Sequence, residues 1–315
     1  MSKPTCKAPG KFFRKGLNLA DAARLFADHE TAEKWFIEQR WAYGIYCPHC
    51  GSPDIIQAKH KTMPYRCREK PCGKRFSVRT RTVMQSSKLG LDKWGMAIFL
   101  LCTSLKSVSS MKLHRDLKIT QKSAWYLGHR LRLALARDGG LFEGPVEVDE
   151  TFVGGIEENK HGHKKLKAGR GTVGKAIVAG ARDRATGHVS ASVVPNMRSR
   201  TLVDFVRRNA GKDATIYTDD SKAYFYLPFD HKVVKHSIKQ YVDGKVSTNG
   251  IESFWAMFKR AHKGTFHKMS PKHLQRYVDE FVGRHNFRRR DTIDQMGSFV
   301  MGMERKRLMY RELVA

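Results

Sequence analysis

The apolar residues of this chain follow two different periods. In two segments of the first 140 residues they recur at every third or fourth position, which is the period of an amphipathic helix. The helices predicted there lie within 18–41 (one or two helices), from Leu91 onward, at about 109–117 and at about 121–136. From residue 146 onward, short stretches alternate between apolar and polar side chains, as half-buried strands do.

The second half of the chain therefore predicts strands interspersed with helices. The predicted strands are 146–155, two strands within 175–195 joined by a turn at Ala185–Gly187, 214–220 and 230–237. The predicted helices are about 199–210, 251–263 and 271–287. This order is typical of an α/β domain with a mixed sheet.

The short and the long helix near 109–136 are separated by a turn near Ile119–Thr120. That spacing predicts a helix-turn-helix, although an ordinary three-helix packing unit gives the same pattern. The basic residues Lys122 and Arg130 in the second helix favour a role in binding DNA.

The net charge of the chain narrows the kinds of molecule that it is expected to bind. Lys and Arg number 59 against 30 Asp and Glu, which gives a net charge of +29 and an isoelectric point near 10.1. A globular chain this basic is expected to bind a polyanion, with nucleic acid the first candidate and a membrane surface the second. The most apolar long stretch, 94–102, is too short to span a bilayer. We therefore expect a soluble cytoplasmic protein associated with the nucleoid, without a membrane partner.

Four of the six cysteines form two close pairs. Cys47 and Cys50 are separated by two residues, and Cys67 and Cys72 by four. Two such pairs supply the four soft ligands that a tetrahedral zinc ion requires, and the glycine after each pair permits the sharp turn. The spacing predicts a structural zinc ribbon. Four thiolates leave no open position on the metal, so this zinc is not expected to be catalytic.

Acidic residues stand out in so basic a chain when they lie at strand ends. Asp149 is predicted to end the strand "VEVD" and Asp219 to end the strand "TIYTD". If these strands are neighbours, the two carboxylates can bind one divalent cation, and oxygen ligands suit Mg²⁺ or Mn²⁺. A lone Asp at a strand end more often forms a turn or an ion pair. Glu147, Glu150, Glu157 and Asp220 are competing acids nearby, and the pattern leaves a shift by one residue open.

A third acid begins the stretch "GIESFWAMFKRA". Glu252 and Lys259 are seven residues apart, which places them on one face of the predicted helix. Alone, Glu252 is explained by the preference of helix N-termini for acids. Beside two strand-end aspartates, it becomes a candidate third ligand of a two-metal phosphoryl-transfer site. Lys259 and Arg260 would then contact nucleic-acid phosphates.

The order of these features resembles that of the DDE-type insertion-sequence transposases with an N-terminal zinc ribbon, the insertion-sequence family numbered fifteen-ninety-five. The resemblance runs from about residue 20 to about 290. It is carried by "VEVDETFVGG", by "TDDSKAY" and by the long block that begins "NGIESFWAMFKRAHKGTF".

This resemblance implies a ribonuclease-H-like catalytic core with Asp149, Asp219 and Glu252 as its three metal-binding acids. The family usually has Asp-Gly at the second site, where this chain has Asp-Asp. The third position varies in the family, so Asn249, one helical turn from Glu252, is the alternative. Lys259 matches the basic residue that accompanies the third acid. Such enzymes hydrolyse the phosphodiester at a transposon end, and the freed 3′ hydroxyl attacks target DNA.

The resulting expectation is a DNA transposase of a bacterial-type insertion sequence that assembles as a homodimer on paired ends. Its DNA contacts are expected at Lys122, Arg130, Lys259, Arg260 and Arg284. The predicted segments are an N-terminal helical arm (1–43), a zinc ribbon (44–85), a helix-turn-helix-like DNA-binding block (86–140), a ribonuclease-H-like catalytic domain (141–290) and a C-terminal helical tail (291–315). The alternatives are a catalytically silent DNA-binding protein derived from a transposase, and another nuclease such as a junction resolvase.

Overall fold

The structure is a computed structural model that describes residues 16–136, 140–155, 161–166, 172–234 and 247–315. These residues form two compact units. The first comprises the described residues through Ala136 together with Phe287–Ala315, and the second comprises those from residue 140 to Asn286. The predicted division into five segments is finer and stays a prediction. Within the described ranges, no helix is both long enough and apolar enough to cross a membrane.

The regular elements are numbered in chain order. The α-helices are α1 (Leu19–Leu25), α2 (His29–Arg40), α3 (Leu91–Thr103), α4 (Ser110–Leu117), α5 (Gln121–Leu135), α6 (Ser199–Asn209), α7 (Asn249–Ala261), α8 (Leu274–Asn286), α9 (Thr292–Met301) and α10 (Tyr310–Val314). The strands are β1 (Ile55–Gln57), β2 (Tyr65–Cys67), β3 (Arg75–Phe76), β4 (Val146–Val153), β5 (Ala176–Asp183), β6 (Val189–Val194), β7 (Thr215–Asp219) and β8 (Asp230–Val234).

The predicted helices and strands are confirmed in type, with shifts at their ends. The segment 18–41 forms two helices, because Asp28 starts α2 by accepting a hydrogen bond from the Thr31 backbone N–H at 2.8 Å. The helix predicted from Ile251 begins two residues earlier. The strand predicted for 230–237 is β8 as far as Val234, and 235–237 lie outside the described residues.

The C-terminal residues pack into the first unit. Met303, Leu308 and Leu313 are at most 3% exposed, and Met303 belongs to the same apolar core as α2 and α3. Backbone hydrogen bonds join Val83 to Met303 and Arg305 to Arg81. This part of the predicted C-terminal tail is therefore not solvated, because its apolar residues complete the core of the N-terminal helices.

The second unit is built on a five-stranded mixed sheet of order β6-β5-β4-β7-β8. β6, β5 and β4 are antiparallel neighbours, whereas β4 pairs with β7, and β7 with β8, in parallel. The predicted mixed α/β sheet is confirmed. β4 is the central strand, so its side chains reach the middle of both faces.

Helices cover both faces of this sheet. Val146 and Val148 of β4 pack in one cluster with residues of α6, such as Phe205. On the other face, Val153 and Val178 pack with Ile251 and Trp255 of α7. Since side chains alternate along a strand, Glu147 and Asp149 point to the face that α7 covers.

Candidate active site and metal centre

Asp149 and Asp219 lie on neighbouring parallel strands. β4 and β7 pair through Val146–Ile216 and Glu147–Tyr217. Two residues further along the same register, Asp149 is level with Asp219, on the same face as Glu147. Neighbouring strands are roughly 4.8 Å apart. The two carboxylates therefore emerge side by side at the C-terminal end of β7, on the face that α7 covers. Asp219 ends β7 as predicted, but Asp149 does not end β4, because β4 stays paired with β5 as far as Val153.

Glu252 reaches this face from the first turn of α7. Its Oε1 accepts a hydrogen bond from the Thr248 hydroxyl at 2.8 Å. Asn249, the alternative third ligand, is the first residue of α7 and is exposed. The charge of Glu252 acts on Asp149, and the choice between Glu252 and Asn249 as third ligand stays a prediction.

The close approach of α7 depends on a glycine of β5. Gly180 is the register partner of Asp149. A Cβ atom at Gly180 would lie 2.4 Å from Cζ2 of Trp255 and 3.1 Å from Cδ1 of Ile251. The missing side chain therefore lets α7 lie directly on the sheet beside Asp149.

The acids influence one another's protonation. The pKa of Asp149 is raised to about 6, chiefly by burial and then by the charges of Asp219 and Glu252, while Lys259 acts in the opposite direction. Because such effects weaken with distance, Asp149, Asp219, Glu252 and Lys259 belong to one electrostatic neighbourhood. The fold thus brings together residues from β4, β7 and α7 that are far apart in the sequence.

Glu150, the neighbouring alternative to Asp149, lies in a different environment. It follows Asp149 on β4 and so points to the other face of the sheet. Its Oε1 is buried and has no hydrogen-bond partner among the described residues. Burial, with smaller contributions from Asp149 and Asp219, raises the pKa of Glu150 to about 8. In the absence of a metal ion Glu150 is therefore mostly protonated at neutral pH, and its side chain faces away from α7, which carries Glu252.

The three acids are less tightly grouped than the cysteines. Among the described residues, the cysteines are the one group of three or more potential metal-ligand side chains whose ligand atoms all lie within 4.8 Å of one another. Asp149, Asp219 and Glu252 share a region without forming a closed cage. Their oxygen donors fit Mg²⁺ or Mn²⁺, and Mg²⁺ retains several water ligands, so an open set of carboxylates is adequate for it.

The cysteine cluster fits a tetrahedral metal. The Sγ atoms of Cys47 and Cys72 are 3.8 Å apart, and those of Cys50 and Cys67 are 3.6 Å apart. Tetrahedral zinc with Zn–S bonds of about 2.3 Å separates its sulfur ligands by roughly 3.8 Å. The predicted glycine turns are also present, since Gly51 and Gly73 have φ angles of +83° and +53°. The four cysteines can therefore hold a zinc ion, as the spacing predicted.

Three of the predicted DNA-contact residues lie near helix ends and are exposed. Lys259 and Arg260 lie on the exposed side of the last turn of α7, and Lys122 lies in the first turn of α5. The ammonium of Lys122 is 4.5 Å from the centre of the Tyr310 ring. These three side chains are accessible to a phosphate backbone.

Arg130 and Arg284 are placed differently. Arg130 is 6% exposed, and its guanidinium donates hydrogen bonds to the carbonyl oxygens of Leu308 and Gln85. The side chain of Arg284 is 12% exposed and forms an ion pair with buried Glu280 at 3.3 Å. Both guanidinium groups have partners inside their own unit, so these two predicted DNA contacts are less accessible than Lys122 and Lys259 and stay predictions.

Glu147, one of the acids that compete with Asp149 in the sequence, has contacts that the sequence pattern did not show. It is 2% exposed, and its Oε2 accepts a hydrogen bond from the backbone N–H of Ile251 at 2.8 Å. Its Oε1 accepts a hydrogen bond from Arg182 at 3.0 Å and lies 3.5 Å from Nε of Arg184. The alternation along β4 could have indicated it, because Glu147 shares a face with Asp149.

Comparison with known proteins identifies the family. The model of the ISXO2-like transposase domain matches residues 142–286, which nearly coincide with the second compact unit. An uncharacterized transposase-like protein of Haemophilus influenzae is 33% identical over 97 residues, covering 30% of this chain and 77% of that protein. This chain belongs to the ISXO2-like transposase family. The family expected from the motifs is thereby confirmed.

A second relative matches a larger part of this chain. An uncharacterized protein in transposable element ISH50 of Halobacterium salinarum is 27% identical over 260 residues, covering 76% of this chain and 86% of that protein. Among solved structures, a simian T-cell lymphotropic virus intasome in complex with a PP2A regulatory subunit matches at 15% identity. It covers 62% of this chain and 64% of the matched chain with a TM-score of 0.27, which is too low to support a conclusion about the fold.

Proposed function

We propose that this chain is a DNA transposase of a bacterial-type insertion sequence. It binds the ends of its element, hydrolyses a phosphodiester in a reaction that requires Mg²⁺ or Mn²⁺, and transfers the freed 3′ hydroxyl to target DNA. The observation that carries the proposal is the parallel pairing of β4 with β7, which places Asp149 beside Asp219 under the helix that holds Glu252 and Lys259. Membership of a transposase family gives this arrangement its chemical context.

We further propose that residues 141–290 have a ribonuclease-H-like fold. Its support is a mixed sheet in which three antiparallel strands are extended by two parallel ones, with helices on both faces. The first acid lies on the central strand and the second on its parallel neighbour. A helix on one face supplies the third.

Asp149 and Asp219 would hold the metal, and Glu252 would complete the set from α7. A pair of such ions supplies an activated water as nucleophile and stabilises the leaving oxygen of an in-line phosphoryl displacement. Lys259 lowers the pKa of Asp149 and so favours its ionised, metal-binding form. Lys259 and Arg260, exposed on the same helix, orient the DNA by contacting its phosphates.

The charge distribution supports DNA as the partner. The chain carries a net charge of +29, and Lys122, in the first turn of α5, occupies the position at which a recognition helix meets DNA. α4 and α5 are joined by three residues, of which Lys118 adopts the left-handed conformation with φ of +51°. This geometry supports a helix-turn-helix role for the pair.

The cysteine cluster has a structural role in this proposal. Zinc held by Cys47, Cys50, Cys67 and Cys72 stabilises the small β1-β2-β3 sheet, whose exposed basic residues include Arg66 and Arg75. We also propose that the protein acts as a dimer, because two element ends must be joined, and that it works in the cytoplasm on the nucleoid.

The test is metal-dependent cleavage of labelled DNA that carries the element's ends. Asp149→Asn, Asp219→Asn and Glu252→Gln should each reduce the cleavage rate by about 1,000-fold or more while DNA affinity changes little, because each removes a metal ligand. Cleavage should require Mg²⁺ or Mn²⁺ and fail with EDTA.

Two results would contradict the proposal. Tight DNA binding without cleavage by the wild-type protein would favour the catalytically silent alternative. Full activity of Glu252→Gln would remove Glu252 from the site and transfer its role to Asn249 or another residue.

A further inference from the structure

The first turn of α7 is held by an acid from another element. The N-cap residue, Thr248, makes no side-chain capping hydrogen bond to the helix backbone, and its hydroxyl donates to Glu252 instead. The backbone N–H groups of Gly250 and Ile251 are bound by the carboxylate of Glu147 on β4. The Ile251 N–H also lies 3.1 Å from the Thr248 carbonyl. Glu147 thus performs the capping function that the helix's own N-cap residue does not.

Gly250 fits this contact. A Cβ atom at residue 250 would lie 2.1 Å from Nη1 of Arg182 and 2.6 Å from Oε2 of Glu147. The helix therefore begins directly on the Glu147–Arg182 ion pair, in space that a side chain would occupy. The contact is dry, since Glu147 is 2% exposed, and a charge-assisted hydrogen bond in such a place is strong.

Glu147 is also rigidly linked to the proposed site. It lies two residues before Asp149 on the same face of β4, roughly 6.6 Å away along the strand. Ile251, which it binds, immediately precedes Glu252. One strand therefore carries both the first acid and the anchor of the helix that carries the third.

We propose that Glu147 is a positioning residue, which sets the separation between Glu252 and Asp149 by holding the first turn of α7 against β4. This inference rests on the proposed function, because it assigns to Glu252 a role as metal ligand. In this proposal Glu147 acts through Glu252 and is not itself a ligand of the metal. Its carboxylate is engaged by backbone amides and by Arg182 and lies beside Arg184.

The test is a double-mutant cycle on Mn²⁺ affinity, measured by calorimetry on the zinc-loaded full chain. Glu147→Ala should weaken Mn²⁺ binding by about 10-fold or more, as the loss of a group that orients a ligand does. Adding it to Glu252→Gln should give no further loss, because a positioning residue acts through the ligand. Additive losses, or wild-type affinity in Glu147→Ala, would overturn the proposal.

Two further variants separate positioning from loss of fold. Glu147→Gln keeps an oxygen acceptor for the Ile251 N–H and should recover most of the Mn²⁺ affinity. Gly250→Ala keeps every charge but displaces the start of α7, and should weaken binding as Glu147→Ala does. If the Gln variant is as weak as the Ala variant, or if Gly250→Ala binds normally, anchoring through the helix amides is wrong.

Asp183→Ala is the matched control. Asp183 is also a buried acid of this sheet, 4% exposed, and it accepts hydrogen bonds from the backbone N–H groups of Ala185 and Thr186 in a turn away from α7. The Asp183→Ala substitution should lower the melting temperature of the protein and leave its Mn²⁺ affinity unchanged. An equal loss of affinity in Asp183→Ala would show general loosening and overturn the positioning role.

The outcomes also separate this inference from the proposed function. If the wild-type protein binds Mn²⁺ with the expected coupling but cleaves no DNA, the proposed function fails and the positioning role stands. If the wild-type protein cleaves DNA but the cycle is additive, the positioning role fails alone.

Discussion

The cysteine cluster of the first unit and the acid cluster of the second both consist of side chains that can bind metals, but the chain specifies them in different ways. The four cysteines come from two short turns within one small sheet, and their sulfur atoms lie within 4.8 Å of one another. The acids come from β4, β7 and α7, and they share an electrostatic neighbourhood without such close grouping.

This difference shows what each site depends on. Ligands in tight turns are placed by local geometry, so their spacing alone indicates the metal. The acids are placed by the register of two strands and by the docking of a helix on a sheet. Their arrangement therefore depends on residues that are not ligands, such as Gly180 and Glu147.

The largest expected effect is the loss of the cysteine site. Cys67→Ser should abolish zinc binding, and the backbone amides of β1–β3 should then lose their protection from hydrogen exchange. Both effects should be large, because binding free energies of structural zinc reach about 10–16 kcal/mol in small modules. Zinc content and exchange mass spectrometry measure this. Cys102→Ala, a buried cysteine of α3 outside the cluster, should keep one zinc per chain. Full zinc occupancy in Cys67→Ser would contradict the assignment.

The next largest expected effect is a loss of stability when the packing of α7 on the sheet is disturbed. Gly180→Ala should lower the free energy of unfolding by about 1–3 kcal/mol, since its Cβ would overlap Trp255. Chemical denaturation measures this. Gly155→Ala is the matched control, because no atom lies within 4 Å of a Cβ at that position, and it should have little effect. If the two variants are equally stable, the packing of α7 on the sheet does not depend on the absence of a side chain at Gly180.

The acid cluster should oppose folding when no metal is bound. The pKa of Asp149 rises from 3.8 to about 6 on folding. Folding therefore becomes less favourable as pH rises through this window. Asp149→Asn should stabilise the zinc-loaded protein without Mg²⁺ or Mn²⁺ at pH 7.5 by about 1–3 kcal/mol, and the gain should shrink as pH falls from 6 towards 4.

Thermal unfolding across this pH range measures the effect. Asp213→Asn, an exposed acid of the same unit, should give no such gain. A destabilised Asp149→Asn protein at pH 7.5 would contradict the electrostatic picture of the acid cluster.

The smallest expected effect concerns the phosphate contacts of α7. Lys259→Ala should weaken DNA binding uniformly across sequences and reduce the slope of log affinity against log salt concentration by about 0.9. Fluorescence anisotropy at several salt concentrations measures this. Lys212→Ala, an exposed lysine before the opposite end of β7, should leave the slope unchanged. Equal slopes for the two variants would remove Lys259 from the DNA interface.

The sequence predicted those features that depend on neighbouring residues. The periods of apolar residues located the helices and strands, and the cysteine spacing located the cluster. The burial of Arg130 was not visible in the sequence, because its partners, Leu308 and Gln85, lie far along the chain. The ion pair of Arg284 could have been predicted, since its buried partner Glu280 is four residues away on the same helix.

The sequence predicted which acids are candidate metal ligands, but it did not predict the strand pairing that brings them together. Nothing in the local pattern shows that β4 and β7 are parallel neighbours in the register that aligns Asp149 with Asp219. The role of Glu147 was equally hidden, because it appears only when Ile251, from a distant helix, meets β4. Tertiary pairings of this kind are not encoded in the short-range period of a sequence.

The central claim is that Asp149, Asp219 and Glu252 form one divalent-metal site. A titration of zinc-loaded protein with Mn²⁺, followed by electron paramagnetic resonance, compares Asp219→Asn with Asp220→Asn, its exposed neighbour. The account predicts that Asp219→Asn, like Asp149→Asn and Glu252→Gln, loses most of the bound Mn²⁺, whereas Asp220→Asn binds as the wild type does. Loss of Mn²⁺ in Asp220→Asn with retention in Asp219→Asn would contradict it.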